Sequence, residues 1–109
     1  MAVTLGEFTE RIANSGLLTR DELNAQLEAN PGIFEARQLA FKLVQTSRLT
    51  NFQAKALYND TKVRLIFGEY IVIDAIAAGG MGDVYKARHR HMDRVVALKL
   101  LPSHLADSR

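Results

Sequence analysis

The chain has 109 residues, 48% of them hydrophobic, which is enough apolar material for a small buried core and unlike a disordered composition. Its 14 basic and 12 acidic residues give a formal charge of +2, split at Gly68 into 8 and 7 before it and 6 and 5 after it. That balance argues against a dedicated nucleic-acid binder, and the absence of cysteine excludes disulfides and thiolate metal sites, in keeping with a cytoplasmic protein.

The N-terminal stretch MAVTLGEFTERIANSG places glutamates where a signal peptide needs an apolar run. Three helix starts follow in the first sixty residues, each a capping box in which Thr and Glu or Gln three residues later satisfy each other's backbone N–H. They are Thr4–Glu7, Thr19–Glu22 and Thr50–Gln53. Hydrophobic staples would pair Val3 with Phe8, Leu18 with Leu23 and Leu49 with Ala54. A fourth start is read at Asn30-Pro31, with proline in the first helical position and Ile33, Ala36, Ala40, Leu43 and Val44 on one face. Gly16 closes the first helix in a left-handed cap. Helices are therefore expected near 4–15, 19–29, 31–46 and 50–60. Phe8, Phe34, Phe41, Phe52 and Tyr58 are assigned to their core, and the acidic first turn Asp21-Glu22 to the helix dipole. The similar segments Leu18–Leu27 and Leu49–Leu57 suggest a degenerate helical repeat, too short for a solenoid.

After Leu65 the period changes. Glu69–Ile76, Asp83–Arg88 and Arg94–Leu101 are rich in β-branched and aromatic residues and read as a three-stranded antiparallel meander. The boundary is placed at Leu65–Gly68, with Gly68 as a hinge. The apolar runs Tyr70–Ala78 and Val95–Pro102 are too short to span a bilayer and are interrupted by Asp74 and Lys99, so no membrane segment is expected in this chain. The fold class is α+β: a bundle of about four helices over 1–64, an interaction or regulatory module, followed by a sheet domain over 69–109.

The first two strands flank Ala77-Ala78-Gly79-Gly80-Met81-Gly82, a glycine-rich turn whose backbone N–H groups can approach phosphate oxygens. Ala97 and Lys99 lie two apart in the third strand and so share a face, a small residue leaving room for a flat base and an ammonium within reach of phosphates. His89 and His91 alternate with Arg88 and Arg90 between the second and third strands. Without a third ligand, and beside arginines that repel a cation, they read as a solvated turn rather than a metal site. His104 sits in a polar tail and carries no signal.

Tyr70–Pro102 resembles the first three strands of the eukaryotic-like serine/threonine protein kinases of bacteria. IAAGGMGDVYKA (Ile76–Ala87) is similar to their glycine-rich loop, and VALKLLP (Val96–Pro102) to the strand bearing their phosphate-contacting lysine. The helix LTNFQAKAL with its short link into Gly-x-Tyr is similar to helical extensions on some of these kinases. The resemblance covers about a third of the chain. It implies ATP as the ligand, with Ile76 and Val84 covering the adenine, Ala97 lining its face and Lys99 pairing the α- and β-phosphates. Ala77, Ala78, Gly79, Gly80, Met81 and Gly82 would close over the phosphates, Gly79 and Gly82 matching the second and third family glycines. The first family glycine is Ala77 here, which implies a stiffer loop and a less free phosphate approach, partly offset by Gly80.

The family's helix glutamate, catalytic-loop aspartate and asparagine, and DFG aspartate have no counterpart in the 109 residues. Magnesium would be held only in a complete kinase, and the chain by itself is expected not to catalyse transfer. A Rossmann turn needs a helix after the loop and a Walker A motif needs Gly-Lys-Ser/Thr. Neither follows the glycines. Two readings stay open: the N-terminal portion of a serine/threonine kinase, or an interaction module with a vestigial or pseudokinase-like nucleotide loop. The expected partners are ATP, a protein substrate or regulatory partner on the helices, and a second copy pairing through an exposed Val95–Leu101 edge or an uncovered apolar sheet face. A nucleic acid is not among them.

Overall fold

The computed structural model describes residues 3–61, 64–77 and 82–100. It contains helices α1 (Leu5–Ser15), α2 (Arg20–Ala29), α3 (Ala36–Gln45) and α4 (Asn51–Asn59), then strands β1 (Ile66–Phe67), β2 (Tyr70–Ala77), β3 (Asp83–His89) and β4 (Val95–Leu100). Two compact units result, Met1–Leu65 and Ile66–Arg109. Among the described residues no helix is long and apolar enough to cross a membrane.

Three helices start where local chemistry dictates. Thr4 Oγ1 accepts the Glu7 N–H at 3.0 Å while Glu7 Oε1 accepts the Thr4 N–H at 2.9 Å. The same reciprocal pair joins Thr19 to Glu22 at 3.1 and 2.8 Å, and Thr50 to Gln53 at 3.1 and 2.9 Å. The Thr4 N–H, more than the Thr4 hydroxyl, holds the Glu7 carboxyl below its ordinary range. Its contribution is present at neutral pH and is lost as pH falls through that lowered value.

α3 departs from expectation. Asn30 does not open a helix; it closes α2, its N–H donating to Leu27 O at 3.2 Å. Its carbonyl accepts the Ile33 N–H at 3.0 Å, so Pro31 and Gly32 are the centre of a tight turn. Gly32 beside the proline weakens any helix beginning there. The true start is Glu35, where Gln38 Oε1 accepts the N–H groups of both Phe34 and Glu35, at 2.7 and 2.9 Å. From Ala36 the helix buries Ala36, Leu39 and Leu43. Phe41, two residues and roughly 200° from Leu39, points the other way. Phe34 and Phe41 are 77% and 68% exposed, against their expected place in the core.

The core of the helical unit is Phe8, Ile12, Leu23, Leu39 and Leu43, all at most 2% exposed. α1 meets α4 through the edge-on Phe8–Tyr58 ring pair, 5.7 Å between centroids. The Arg11 guanidinium also donates to the Leu57 and Tyr58 carbonyls at 3.0 and 2.8 Å. A cation there serves the carbonyls that the end of α4 leaves unpaired.

Each helix end needs its own solution. Gly16 takes the left-handed conformation expected of it, with φ 85°. α3 ends instead on Ser47, with φ 62°, while Arg48 N–H bonds Leu43 O at 2.8 Å and Ser47 N–H bonds Val44 O at 3.0 Å. That is a Schellman cap built on a residue with a Cβ, a conformation costing ordinary residues about 1–2 kcal/mol.

Among the described residues the sheet has four antiparallel strands in the order β1-β2-β3-β4, one more than expected. Gly68 is a hairpin turn residue rather than a hinge. At φ 59° it occupies the first position of a two-residue loop, so Phe67 pairs with Tyr70 and Ile66 with Ile71. β4 pairs with β3 alone among the described residues, leaving its outer edge open. Val72, Tyr85 and Ala87 are buried.

Two substitutions test the capping account by chemical denaturation followed through the helical signal. Ser47→Gly relieves the left-handed strain and should raise stability by about 0.5–1 kcal/mol, net of glycine's greater unfolded-state freedom. Thr19→Ala removes one half of a capping box and should lower it by about 1 kcal/mol.

Candidate functional site

Strand pleating and register build the candidate site. In an antiparallel pair, directly opposed residues put their side chains on one face. Ala77 pairs with Val84, and Val84 with Lys99, making one row across three strands. The next row is Asp74, Lys86 and Ala97, and the next Ile71, Arg88 and Val95. This face is open: Lys86, Arg88, Ala97 and Lys99 are exposed and Val84 is half-buried. The alternate rows carry Val72, Ala87 and Val96, then Ala75, Tyr85 and Leu98, and hold the buried residues of the sheet.

β2 reaches this register only by shifting it twice, between Val72 and Asp74 and between Ala75 and Ala77. At each shift β2 carries one more residue than β3, Ile73 and then Ile76. Asp74 Oδ1 accepts the Ala75 N–H at 2.8 Å beside the first shift. Without the two shifts Ala77 would not stand opposite Val84. Ile76, which the kinase resemblance assigns to the adenine, is therefore a bulge residue, 56% exposed.

The glycine-rich turn is described at its ends. Ala77 is the last residue of β2, and Gly82 precedes β3 with φ 122°, a conformation L side chains rarely adopt. Ala78, Gly79, Gly80 and Met81 lie outside the described residues. Ala97 and Lys99 share a face as the two-residue spacing implies, with Val84 beside them. Lys86 and Arg88 were not singled out from the sequence. They follow Val84 at the same spacing, and this alternation was the available signal. Together with Lys99 they place three cations on the open face, against one carboxylate, Asp74, among the described residues.

Beneath the face, Tyr85 donates its hydroxyl to Asp83 Oδ2 at 3.3 Å. Burial first, then the Asp83 charge and its hydrogen bond, push the phenol above its ordinary 10.0. The turn linking β3 to β4 is locally bonded. His91 N–H donates to His89 Nδ1 at 3.1 Å, His91 Nε2 stands 3.1 Å from Glu69, and the His89 ring meets Tyr70 edge-on at 5.1 Å. No group of three metal-ligating side chains occurs among the described residues. His104 lies outside them.

No protein-family model matches this chain, and neither a curated protein nor a solved structure matches it.

The raised Tyr85 pKa carries a stability consequence. Below pH 10 the phenol is neutral folded and unfolded, so its contribution is fully present. As pH climbs from there through the higher folded value, the unfolded state loses its proton first and the sheet unit loses stability. In a pH titration followed by NMR of the Tyr85 ring, Asp83→Asn should move the midpoint down toward the ordinary phenol value, because it removes a charge opposing the phenolate.

Proposed function

We propose that this chain is the N-terminal portion of a serine/threonine protein kinase and contributes ATP-phosphate binding. The observation that carries the reading is the open face on which Val84, Ala97 and Lys99 stand together beside the Gly82 turn. A small residue and a branched apolar one offer the adenine a flat apolar seat. Lys99, in the row that ends at Ala77, gives the phosphates an ammonium at the mouth of the turn. Lys86 and Arg88 add positive potential that draws a polyanion to this side of the sheet.

Binding here is half of a kinase's work. In the family this region resembles, metal ions neutralise the developing charge and an aspartate orients the attacking hydroxyl. None of those residues is among the 109, so the chain binds nucleotide without transferring phosphate, and transfer to serine or threonine belongs to a longer parent protein. The helical unit would then position or regulate the kinase.

A second reading, an interaction module whose nucleotide loop is vestigial, draws support from Ala77. It stands where the family has its first glycine, and a Cβ there restricts the backbone's approach to phosphate.

Titrating ATP against the 109-residue chain by NMR separates the two. The kinase reading expects saturable binding in the millimolar range, with shifts at Val84, Ala97 and Lys99, weakened about tenfold or more in Lys99→Met through loss of one charge-assisted contact. No binding, or equal binding by both proteins, favours the vestigial loop.

A further inference from the structure

The helical unit is charged unevenly. Before Phe34 the acids Glu7, Glu10, Asp21, Glu22 and Glu28 outnumber Arg11 and Arg20, whereas from Glu35 to Asp60 the bases Arg37, Lys42, Arg48 and Lys55 outnumber the two acids at its ends. Between α3 and α4, in the basic stretch, lies a groove of about 480 Å³ whose apolar walls are Ala40, Phe41, Val44, Ala54 and Tyr58. Arg37 and Lys55 flank it, and no carboxylate among the described residues lines it. Lys55 and, on the outer side of Phe41, Lys42 make no ion pair among the described residues. Arg37 reaches only an exposed Glu35 at 3.4 Å.

We propose that this groove docks an amphipathic helix of a partner protein whose apolar stripe is flanked by aspartate or glutamate. The inference is independent of the nucleotide reading. α3 spans ten residues, about 15 Å, enough to lie along three turns of a helix presenting apolar side chains at i, i+4 and i+7. Phe41, 68% exposed, is the ring such a stripe would cover. Flanking acids would meet Arg37 and Lys55 at the rim, where opposite charge sets orientation and partner choice. A second copy fits less well. The acidic helices α1 and α2 include no exposed large hydrophobic residue to insert, and two α3–α4 faces pressed together would juxtapose their cations.

The test is selection from a displayed library of helical peptides of about 15 residues, long enough for some intrinsic helicity. Apolar residues are fixed at i, i+4 and i+7 and the flanking positions are varied. Acidic flanks should be enriched. The selected peptide should bind Phe41→Ala at least tenfold more weakly, a substitution at an exposed site that leaves the core intact. Lys55→Glu should weaken the acidic peptide and strengthen its lysine-flanked counterpart, a reversal that unfolding cannot produce. Enrichment of neutral or basic flanks, no enrichment, or undiminished binding to Phe41→Ala would overturn the proposal. So would sedimentation showing a wild-type dimer that Phe41→Ala dissolves, because the occupant would then be a second copy.

Discussion

The register of β2 against β3 and of β3 against β4 is the constraint on which the sheet and its candidate site depend. Side chains alternate with a period of two, so a slip of one residue anywhere in this ladder would exchange the two faces. Val72, Tyr85 and Ala87 would then face outward, and Lys86, Arg88 and Lys99 would move to the apolar side. Burying three cations without partners costs several kcal/mol each, far more than any single ladder hydrogen bond supplies. Apolar burial thus locks the register, and the register in turn decides which side chains stand around the glycine-rich turn. The two bulges in β2 complete this arrangement. They absorb Ile73 and Ile76 so that the strand arrives at Ala77 in phase with Val84.

The helical unit rests on a different kind of determinant. Its core is small, and its boundaries are set by reciprocal side-chain caps and by left-handed residues at the ends of helices. Two of those residues, Ser47 and Asp60, are not glycine. The Arg11 contacts to the end of α4 and the exposed Glu10–Arg20 pair, with its two bonds of 3.0 and 2.7 Å, tie neighbouring segments together. The latter pair is solvent-exposed and adds little to stability. The groove beside Phe41 is where this unit leaves apolar surface unspent.

Features with local causes were legible in the sequence. Capping boxes at Thr4, Thr19 and Thr50 depend on residues three apart, and all three form. The two-residue alternation that puts Ala97 and Lys99 on one face is equally local. Features set by competition or by distant packing were not. Asn30-Pro31 fits both a helix start and a turn, and Gly32 with the Gln38 cap decided for the turn. The face chosen for α3 omitted Leu39, which is buried, and Phe41, assigned to the core although it lies off that face, stays exposed. β1 has two residues, too few for any period to show, and exists because Gly68 permits a tight hairpin. The bulges leave no mark in the sequence, since they arise from pairing with β3. Lys86 and Arg88 could have been found from Val84 by counting in twos.

What emerges is an open, cationic sheet face on which a small residue and a lysine stand near the two ends of a glycine-rich turn, joined in one chain to a helical unit with a basic apolar groove. The claim at its centre is that nucleotide lies on the Val84–Ala97–Lys99 face. The most direct measurement is intermolecular NOE spectroscopy of the methyl-labelled chain saturated with ATP. Adenine protons should show contacts to the Val84 and Ala97 methyl groups and none to Val96 or Leu98. Contacts to Val96 or Leu98 instead, or no contact to either set at saturation, would contradict it.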